Sequence, residues 1–152
     1  MLEKFKNKIC VGTAQFGSDY GISNTSGILR KKECLKIVKT AKKNKVIFFD
    51  TAKNYEESEK ILGISNMKSC QVITKLKFNL RSGNLENEIN SLINDSLKNL
   101  KANKIYAVLL HNPQNLLGPK GKLIYRVLRK IQKEKKIKKI GISAYRLNEI
   151  RN

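Results

Sequence analysis

Five short apolar runs in this sequence each end on a polar side chain that could take part in acid–base chemistry or bind a polar ligand. These residues are Thr13, Asp50, Lys75, His111 and Ser143. If the runs are parallel strands of a barrel, their carboxyl ends lie on one face, where barrel enzymes build their active sites. Each residue also has an ordinary interpretation: Asp50 could cap a helix, Lys75 could be a surface charge, and His111 could be a satisfied loop histidine. All five apolar runs, which are distant from one another in sequence, end on such a residue. This coincidence favours a common active site.

The elements that would position these residues follow from the apolar pattern of the chain. Short apolar runs alternate with amphipathic stretches, which is typical of β/α units in a parallel sheet. The runs predict strands over residues 9–13, 46–50, 71–75, 105–111 and 139–143. Apolar residues at a period of 3.6 predict helices around residues 34–41, 85–100 and 123–131, and a short helix spans residues 56–62. Gly63 then stands where a left-handed C-cap is expected.

The 152-residue chain carries a formal net charge of +20. Such a charge suggests a nucleic-acid or anionic-membrane partner, because counterion release favours binding of cationic proteins to phosphate backbones. The lysines, however, are spread along the chain, on helix faces opposite the apolar stripes. No aromatic platform or known nucleic-acid-binding module accompanies them. We therefore expect the positive charge to be spread over the solvent-exposed surface, and we expect no nucleic-acid partner.

Cysteine usage and the N-terminal segment indicate the compartment. Cys10, Cys34 and Cys70 are an odd number without a close pair, as expected for reduced thiols. His111 is the single histidine, so no metal site of histidine and cysteine ligands is expected. The first residues are charged throughout and lack the apolar segment of a signal peptide, and no run approaches the ~20 apolar residues of a membrane helix. The sequence predicts a cytoplasmic protein without a membrane partner.

The most specific motif lies between the second apolar run and the short helix. It reads Asp-Thr-Ala-Lys-Asn-Tyr-Glu-Glu-Ser-Glu over residues 50–59, with Leu62 and Gly63 closing the helix. It resembles the Asp-Thr-Ala-x-x-Tyr-Gly-x-Ser-Glu-x-x-Leu-Gly signature of the aldo/keto reductase family. Three further segments follow in that family's order: Val-Ile-Thr-Lys at 72–75, Val-Leu-Leu-His-Asn-Pro at 108–113 and Lys-Ile-Gly-Ile-Ser at 139–143. The similarity covers essentially the whole chain.

The resemblance implies both a fold and a reaction. The fold would be α/β, an incomplete (β/α)8 TIM barrel in which residues 1–152 form roughly the first five β/α units. The implied function is an NAD(P)H-dependent oxidoreductase that reduces an aldehyde or ketone to an alcohol, with NADPH as cofactor and a small carbonyl compound as substrate. The segment at residues 11–22 is similar to a bacterial branch of the family that is associated with cell-surface sugar pathways.

Carried over by motif position, the family's catalytic tetrad falls on Asp50, Tyr55, Lys75 and His111. The resemblance makes Tyr55 the proton donor to the carbonyl oxygen. A free tyrosine, with a pKa of ~10, is a weak acid near neutrality, and an adjacent cation lowers that pKa. Lys75 is expected to be this cation, held charged by Asp50, while His111 orients the carbonyl.

The same comparison gives expectations for the cofactor. Ser143 matches the family residue that binds the nicotinamide carboxamide, and Thr13 is expected to contact the cofactor as well. Two positions depart from the family pattern: Glu56 replaces the glycine that commonly follows the catalytic tyrosine, and Ala144 replaces an asparagine found in many relatives. As a nearby anion, Glu56 is expected to oppose part of the acidification of Tyr55.

A closed barrel of this kind has eight strands and typically ~250 residues. This sequence supplies five predicted strands and stops in what resembles the start of a fifth helix, at residues 146–152. We therefore expect a truncated reading frame or a gene fragment, which would self-associate through open barrel edges. The alternative function is an inactive fragment, or a barrel-completing module without catalysis of its own.

Overall fold

The computed structural model describes residues 8–22, 24–25 and 27–151, and its strands and helices alternate along the chain. The strands are β1 (Cys10–Gly12), β2 (Phe48–Asp50), β3 (Gln71–Leu76), β4 (Ile105–Leu110) and β5 (Ile137–Ile142). The helices are α1 (Lys31–Lys43), α2 (Ser58–Ile64), α3 (Leu85–Leu100), α4 (Gln114–Leu117), α5 (Gly121–Lys133) and α6 (Asn148–Arg151). A 3-10 turn, Ala14–Phe16, follows β1.

All five strands belong to one parallel sheet, in the order β1-β2-β3-β4-β5. The register pairs Gly12 with Asp50, Asp50 with Ile73, and Lys75 with Leu109. Neighbouring strands in sequence are therefore neighbours in space, which is the arrangement of consecutive β/α units in a barrel. The five predicted strands are confirmed, each to within two residues at either end.

Helix packing on the strands forms the core. Val108 and Leu110 of β4 are fully buried, as are Ile124, Leu128 and Ile131 of α5. Burying each such side chain stabilises the fold by about 1.5–3 kcal/mol. The basic residues of α5 lie on its exposed face, as predicted: Lys122, Arg126, Arg129, Lys130 and Lys133. Within the described residues, no helix is both long and apolar enough to cross a membrane.

Helix α3 shows how local sequence sets the element boundaries. Its N-cap, Asn84, accepts a hydrogen bond from the backbone N–H of Asn87 at 3.0 Å, which satisfies one of the free donors of the first turn. Glu86 and Glu88 add negative charge to that turn, which the helix dipole favours. The helix ends at Leu100, and its C-cap, Lys101, adopts a left-handed conformation with φ of 50°.

Helix α2 differs from its prediction in position and in the role of its glycine. It begins at Ser58 instead of Glu56 and ends at Ile64, so that Gly63 lies inside the helix and the C-cap is Ser65. The expectation of a left-handed cap at Gly63 is therefore wrong. A Cβ on Gly63 would lie 2.0 Å from the carbonyl oxygen of Asn99, so glycine is needed because α2 and α3 approach closely. Helix α4 was not predicted.

Gly63→Ala is expected to lower the free energy of unfolding by about 1–3 kcal/mol, because the methyl group overpacks the α2–α3 contact. Urea denaturation followed by circular dichroism measures the change. Gly83→Ala is the matched control, since a Cβ there meets nothing within 4 Å, and it should change stability by less than about 0.5 kcal/mol. Equal stability of the two variants would contradict the packing explanation.

Candidate active site

The polar residues predicted at the ends of the apolar runs lie at one end of the sheet. Asp50 is the last residue of β2, Lys75 is the penultimate residue of β3, and Thr13, His111 and Ser143 follow their strands closely. The sheet hydrogen bonding continues through the latter three. Their backbone N–H groups donate at 2.9 Å to the carbonyl oxygens of Asp50, Leu76 and Leu110, respectively. The geometry expected for a site at the carboxyl ends of the strands is thus present.

Lys75 is held by two acceptors from the end of β2. Its ammonium group donates to a carboxylate oxygen of Asp50, with which it forms an ion pair. It also donates to the carbonyl oxygen of Thr51, at 3.1 Å. Only 8 % of Lys75 is exposed, so these contacts replace most of the water that would surround the charge. The ammonium is consequently fixed in place.

Tyr55 lies next to this ion pair on the segment that joins β2 to α2. The Nζ of Lys75 is 5.3 Å from the centroid of the Tyr55 ring. Burial raises the pKa of the Tyr55 hydroxyl, and the Asp50 carboxylate raises it further, as do Tyr20 and Tyr145. The expectation that Lys75 produces a net lowering of this pKa is therefore wrong, because burial of the hydroxyl and, after it, the charge of Asp50 raise the pKa. Tyr55 keeps its proton at neutral pH.

Buried hydrogen bonds hold the segment that carries Tyr55. The backbone N–H of Ser58 donates to the carbonyl oxygen of Tyr55 at 2.9 Å, and its hydroxyl donates to the carbonyl oxygen of Thr13 at 2.7 Å. Gly17 packs against the other side, where a Cβ would lie 2.1 Å from the same Tyr55 oxygen. The sequence motif contained Ser58 but gave it no role. A serine in the first turn of the short helix was the available signal.

Glu56 has a left-handed backbone conformation, with φ of 40°. Non-glycine residues adopt this region at a cost of roughly 1–2 kcal/mol, because Cβ approaches the following carbonyl oxygen. The family motif that the sequence resembles has glycine at this position. The replacement of this glycine by Glu56 therefore places backbone strain beside Tyr55. The side chain of Glu56 is exposed to solvent.

A second buried network lies behind Lys75. Glu59 of α2 is 1 % exposed and accepts hydrogen bonds from the hydroxyl of Thr74 at 2.8 Å and from the side-chain amide of Asn99 at 3.2 Å. These contacts connect α2 with β3 and α3. Because Thr74 directly precedes Lys75, the network fixes the strand backbone next to the ion pair.

His111 lies on the neighbouring strand, half-buried. Burial lowers its pKa, and the positive charges of Lys75 and Lys77 lower it further, against a smaller opposing effect of Asp50. The imidazole is therefore neutral at pH 7. Among the described residues, its buried Nδ1 has no hydrogen-bond partner, which leaves this nitrogen available to a ligand or to water.

A cavity of about 380 Å³ adjoins the ion pair. Asp50, Tyr55 and Lys75 line it, whereas His111 does not. Tyr20 and Tyr145 form aromatic parts of its wall, and the ring centroid of Tyr20 is 6.4 Å from that of Tyr55. Sequence reasoning gave neither tyrosine a role. The only available signal was an aromatic residue shortly after the first and fifth apolar runs.

The two residues expected to contact a cofactor differ in their accessibility. Thr13 lines the cavity, but it is fully buried and its hydroxyl donates to the carbonyl oxygen of Asp50 at 3.0 Å. Ser143 is half-buried at the end of β5. The cavity volume is near the lower end of the ~300–1,000 Å³ of small-molecule sites. Of these two residues, only Thr13 lines the cavity, and its hydroxyl is already bonded.

The titration of His111 tests these electrostatics, because it is the single histidine of the sequence. A proton NMR titration should give a pKa below the 6.5 of free histidine, and Lys77→Gln should raise it by removing a positive neighbour. Lys98→Gln, on α3, serves as the control. Since the folded-state pKa is lowered, the stabilisation from neutral His111 is present above pH ~6.5 and lost as the pH falls through the folded-state pKa. A pKa above 6.5 would contradict the assignment.

Solved structures similar to this chain share its fold. A Pseudomonas aeruginosa protein assigned to the aldo-keto reductases matches with a TM-score of 0.72 at 24% identity, over 89% of this chain and 54% of that protein. The holo form of an aldo-keto reductase from Bacillus halodurans matches with a TM-score of 0.70 at 19% identity, over 94% and 48%. An aldo/keto reductase from Klebsiella pneumoniae, solved in complex with NADP and acetate, gives 0.68 at 16% identity, over 93% and 47%.

This chain thus spans about half the length of these proteins, and its fold is part of their (β/α)8 barrel. No curated protein matches the chain. A family model described as the aldo/keto reductase family matches residues 8–152, and the chain belongs to that family.

Proposed function

We propose that this chain carries the proton-donating part of an NAD(P)H-dependent carbonyl reductase site, with residues 1–152 forming the N-terminal part of the barrel domain. The observation that carries the proposal is the placement of Tyr55, which lines a cavity with its ring 5.3 Å from the Lys75 ammonium. Membership of the aldo/keto reductase family supports this assignment. The NADP bound in the Klebsiella pneumoniae structure also supports the proposal, and it favours NADPH as the cofactor.

Reduced nicotinamide, when bound, supplies a hydride to the carbonyl carbon, and negative charge then develops on the carbonyl oxygen. Tyr55 donates its proton to that oxygen. Its raised pKa keeps the proton on the hydroxyl at neutral pH until the carbonyl oxygen becomes the stronger base. Lys75 stabilises the developing charge, and Asp50 keeps the ammonium in position.

His111 and Ser143 complete the proposed site. A neutral imidazole can donate one hydrogen bond to the substrate carbonyl without competing with Tyr55 for the role of acid. Ser143, at the end of β5, would hold the carboxamide of the nicotinamide ring. Thr13 has a supporting role in this proposal, because its hydroxyl and its backbone N–H both donate to the carbonyl oxygen of Asp50. The substrate is a small aldehyde or ketone.

The activity test uses the chain alone and the chain continued by the C-terminal half of a close relative. The continued protein should oxidise NADPH in the presence of an aldehyde, and Tyr55→Phe should lower its kcat by roughly 10²–10⁴-fold, the usual contribution of a positioned proton donor. Tyr125→Phe is the matched control, since Tyr125 is 50 % exposed on α5, and should have no effect. Equal loss in both variants, or none in either, would refute the role of Tyr55.

A second candidate function is that of a barrel-completing module that associates through its sheet edges. Within the described residues, β1 pairs only with β2 and β5 only with β4, so no strand covers their outer edges. Unpaired edges are templates for association. Sedimentation velocity at increasing concentration should therefore show species heavier than the 17.3 kDa chain. A monomer at every concentration would exclude this candidate.

A further inference from the structure

A second cavity, of about 560 Å³, lies on the helical side of the segment that carries Tyr55. It shares no lining residue with the cavity at the Asp50–Lys75 ion pair. Its walls come from the end of the 3-10 turn, from the residues just before α1 and α2, from the start of α1, from α2 and from the end of α3. The volume lies within the ~300–1,000 Å³ range of small-molecule sites. Nothing in the proposed reductase chemistry uses this cavity.

The walls of this cavity are largely apolar. Phe16 and Ile61 are almost completely buried, at 3 % and 5 % exposure. Ile28 and Ile64 remain 52 % and 44 % exposed at the same cavity. Apolar side chains that are gathered around a concave surface and left in contact with water favour an occupant with an apolar body.

The charged residues of the cavity are predominantly basic. Lys60 forms an ion pair with Glu57 at 2.6 Å. Lys31, Lys98 and Lys101 also line the cavity and are exposed, and no carboxylate of the described residues pairs with them. Glu56 adds a second carboxylate to the lining, beside Glu57, so the lysines still outnumber the carboxylates. An anion in the cavity is attracted by this excess of positive charge, which favours an occupant that is negative at one end.

We propose that this cavity binds a small amphiphilic carboxylate, with its alkyl or aryl body against Phe16 and Ile61 and its carboxylate among Lys31, Lys98 and Lys101. The occupant is distinct from the carbonyl substrate and the nicotinamide cofactor. The proposal rests on the apolar walls and the unpaired lysines, and it stands independently of any reductase activity.

The occupant would contact the support of Tyr55. Gly17 and Glu56 line the cavity, and Gly17 packs directly on the carbonyl oxygen of Tyr55. Asn99 also lines the cavity and donates to the buried Glu59. Binding therefore restricts the opening of the segment 55–59 as well as that of α2, and this restriction is measurable as slower amide exchange.

The test measures binding of hexanoate, octanoate and decanoate to the full 152-residue chain by equilibrium dialysis, below their micellar concentrations. Each added methylene should tighten Kd about three- to fourfold, because the alkyl chain is transferred into an apolar site. Octanol, which has the same body without the charge, should bind at least fivefold more weakly than octanoate. Hydrogen exchange should slow in residues 55–64 on addition of octanoate.

Paired variants separate this site from nonspecific binding. The double variant Lys31→Gln/Lys98→Gln should bind octanoate at least fivefold more weakly and bind octanol with unchanged affinity. The control double variant Lys122→Gln/Lys133→Gln, on the exposed face of α5, should change the affinity for neither compound. Equal affinity for octanol and octanoate, or equal effects of the two pairs of substitutions, would overturn the proposal. An acidic peptide that slows exchange in residues 55–64 where octanoate does not would identify a protein-docking surface and also overturn it.

Discussion

The charge of Lys75 is the constraint around which the carboxyl end of the sheet is arranged. Lys75 as a whole is 8 % exposed, so its ammonium group has lost most of its hydration and is stable only where an anion and further acceptors surround it. Asp50 supplies the anion and Thr51 the carbonyl oxygen. Both come from the end of β2, whose register with β3 is fixed by backbone hydrogen bonds. The position of the charge is therefore a property of the sheet and does not depend on a mobile loop.

Tyr55 lies on a connecting segment, yet its position is tied to the same sheet. Ser58 bonds both to Tyr55 and to Thr13, and Thr13 bonds in turn to Asp50. Each bond is short and largely withdrawn from water, so breaking one leaves a buried polar group unsatisfied. Gly17 blocks the opposite side of the segment by direct contact. The proposed proton donor is thus held by the ends of β1 and β2 and by the first residue of α2.

The strands and the polar residues at their ends could be predicted from the sequence because alternation of apolar runs and amphipathic stretches is a local property. The role of Gly63 could not, since the close approach of α2 and α3 is tertiary. The direction of the pKa shift of Tyr55 was predicted wrongly because its largest cause is burial, and a sequence motif does not show how deeply the hydroxyl is buried. Tyr20 and Tyr145 line the cavity because of the conformation of the loops that carry them. Loop conformation leaves no periodic pattern of apolar residues in the sequence, so it could not be predicted.

Burial shifts the two neutral groups of the site in opposite directions, and both shifts favour the uncharged form. Tyr55 keeps its proton above the usual pKa of a phenol, and His111 stays unprotonated below the usual pKa of an imidazole. Near pH 7 the site therefore contains one cation, Lys75, already paired with one anion, and two neutral hydrogen-bonding groups. Of these two, a neutral imidazole is the far poorer acid, so in the proposed reaction the proton comes from Tyr55. In that proposal the environment of the site sets the roles, because it keeps His111 neutral and keeps the proton on Tyr55.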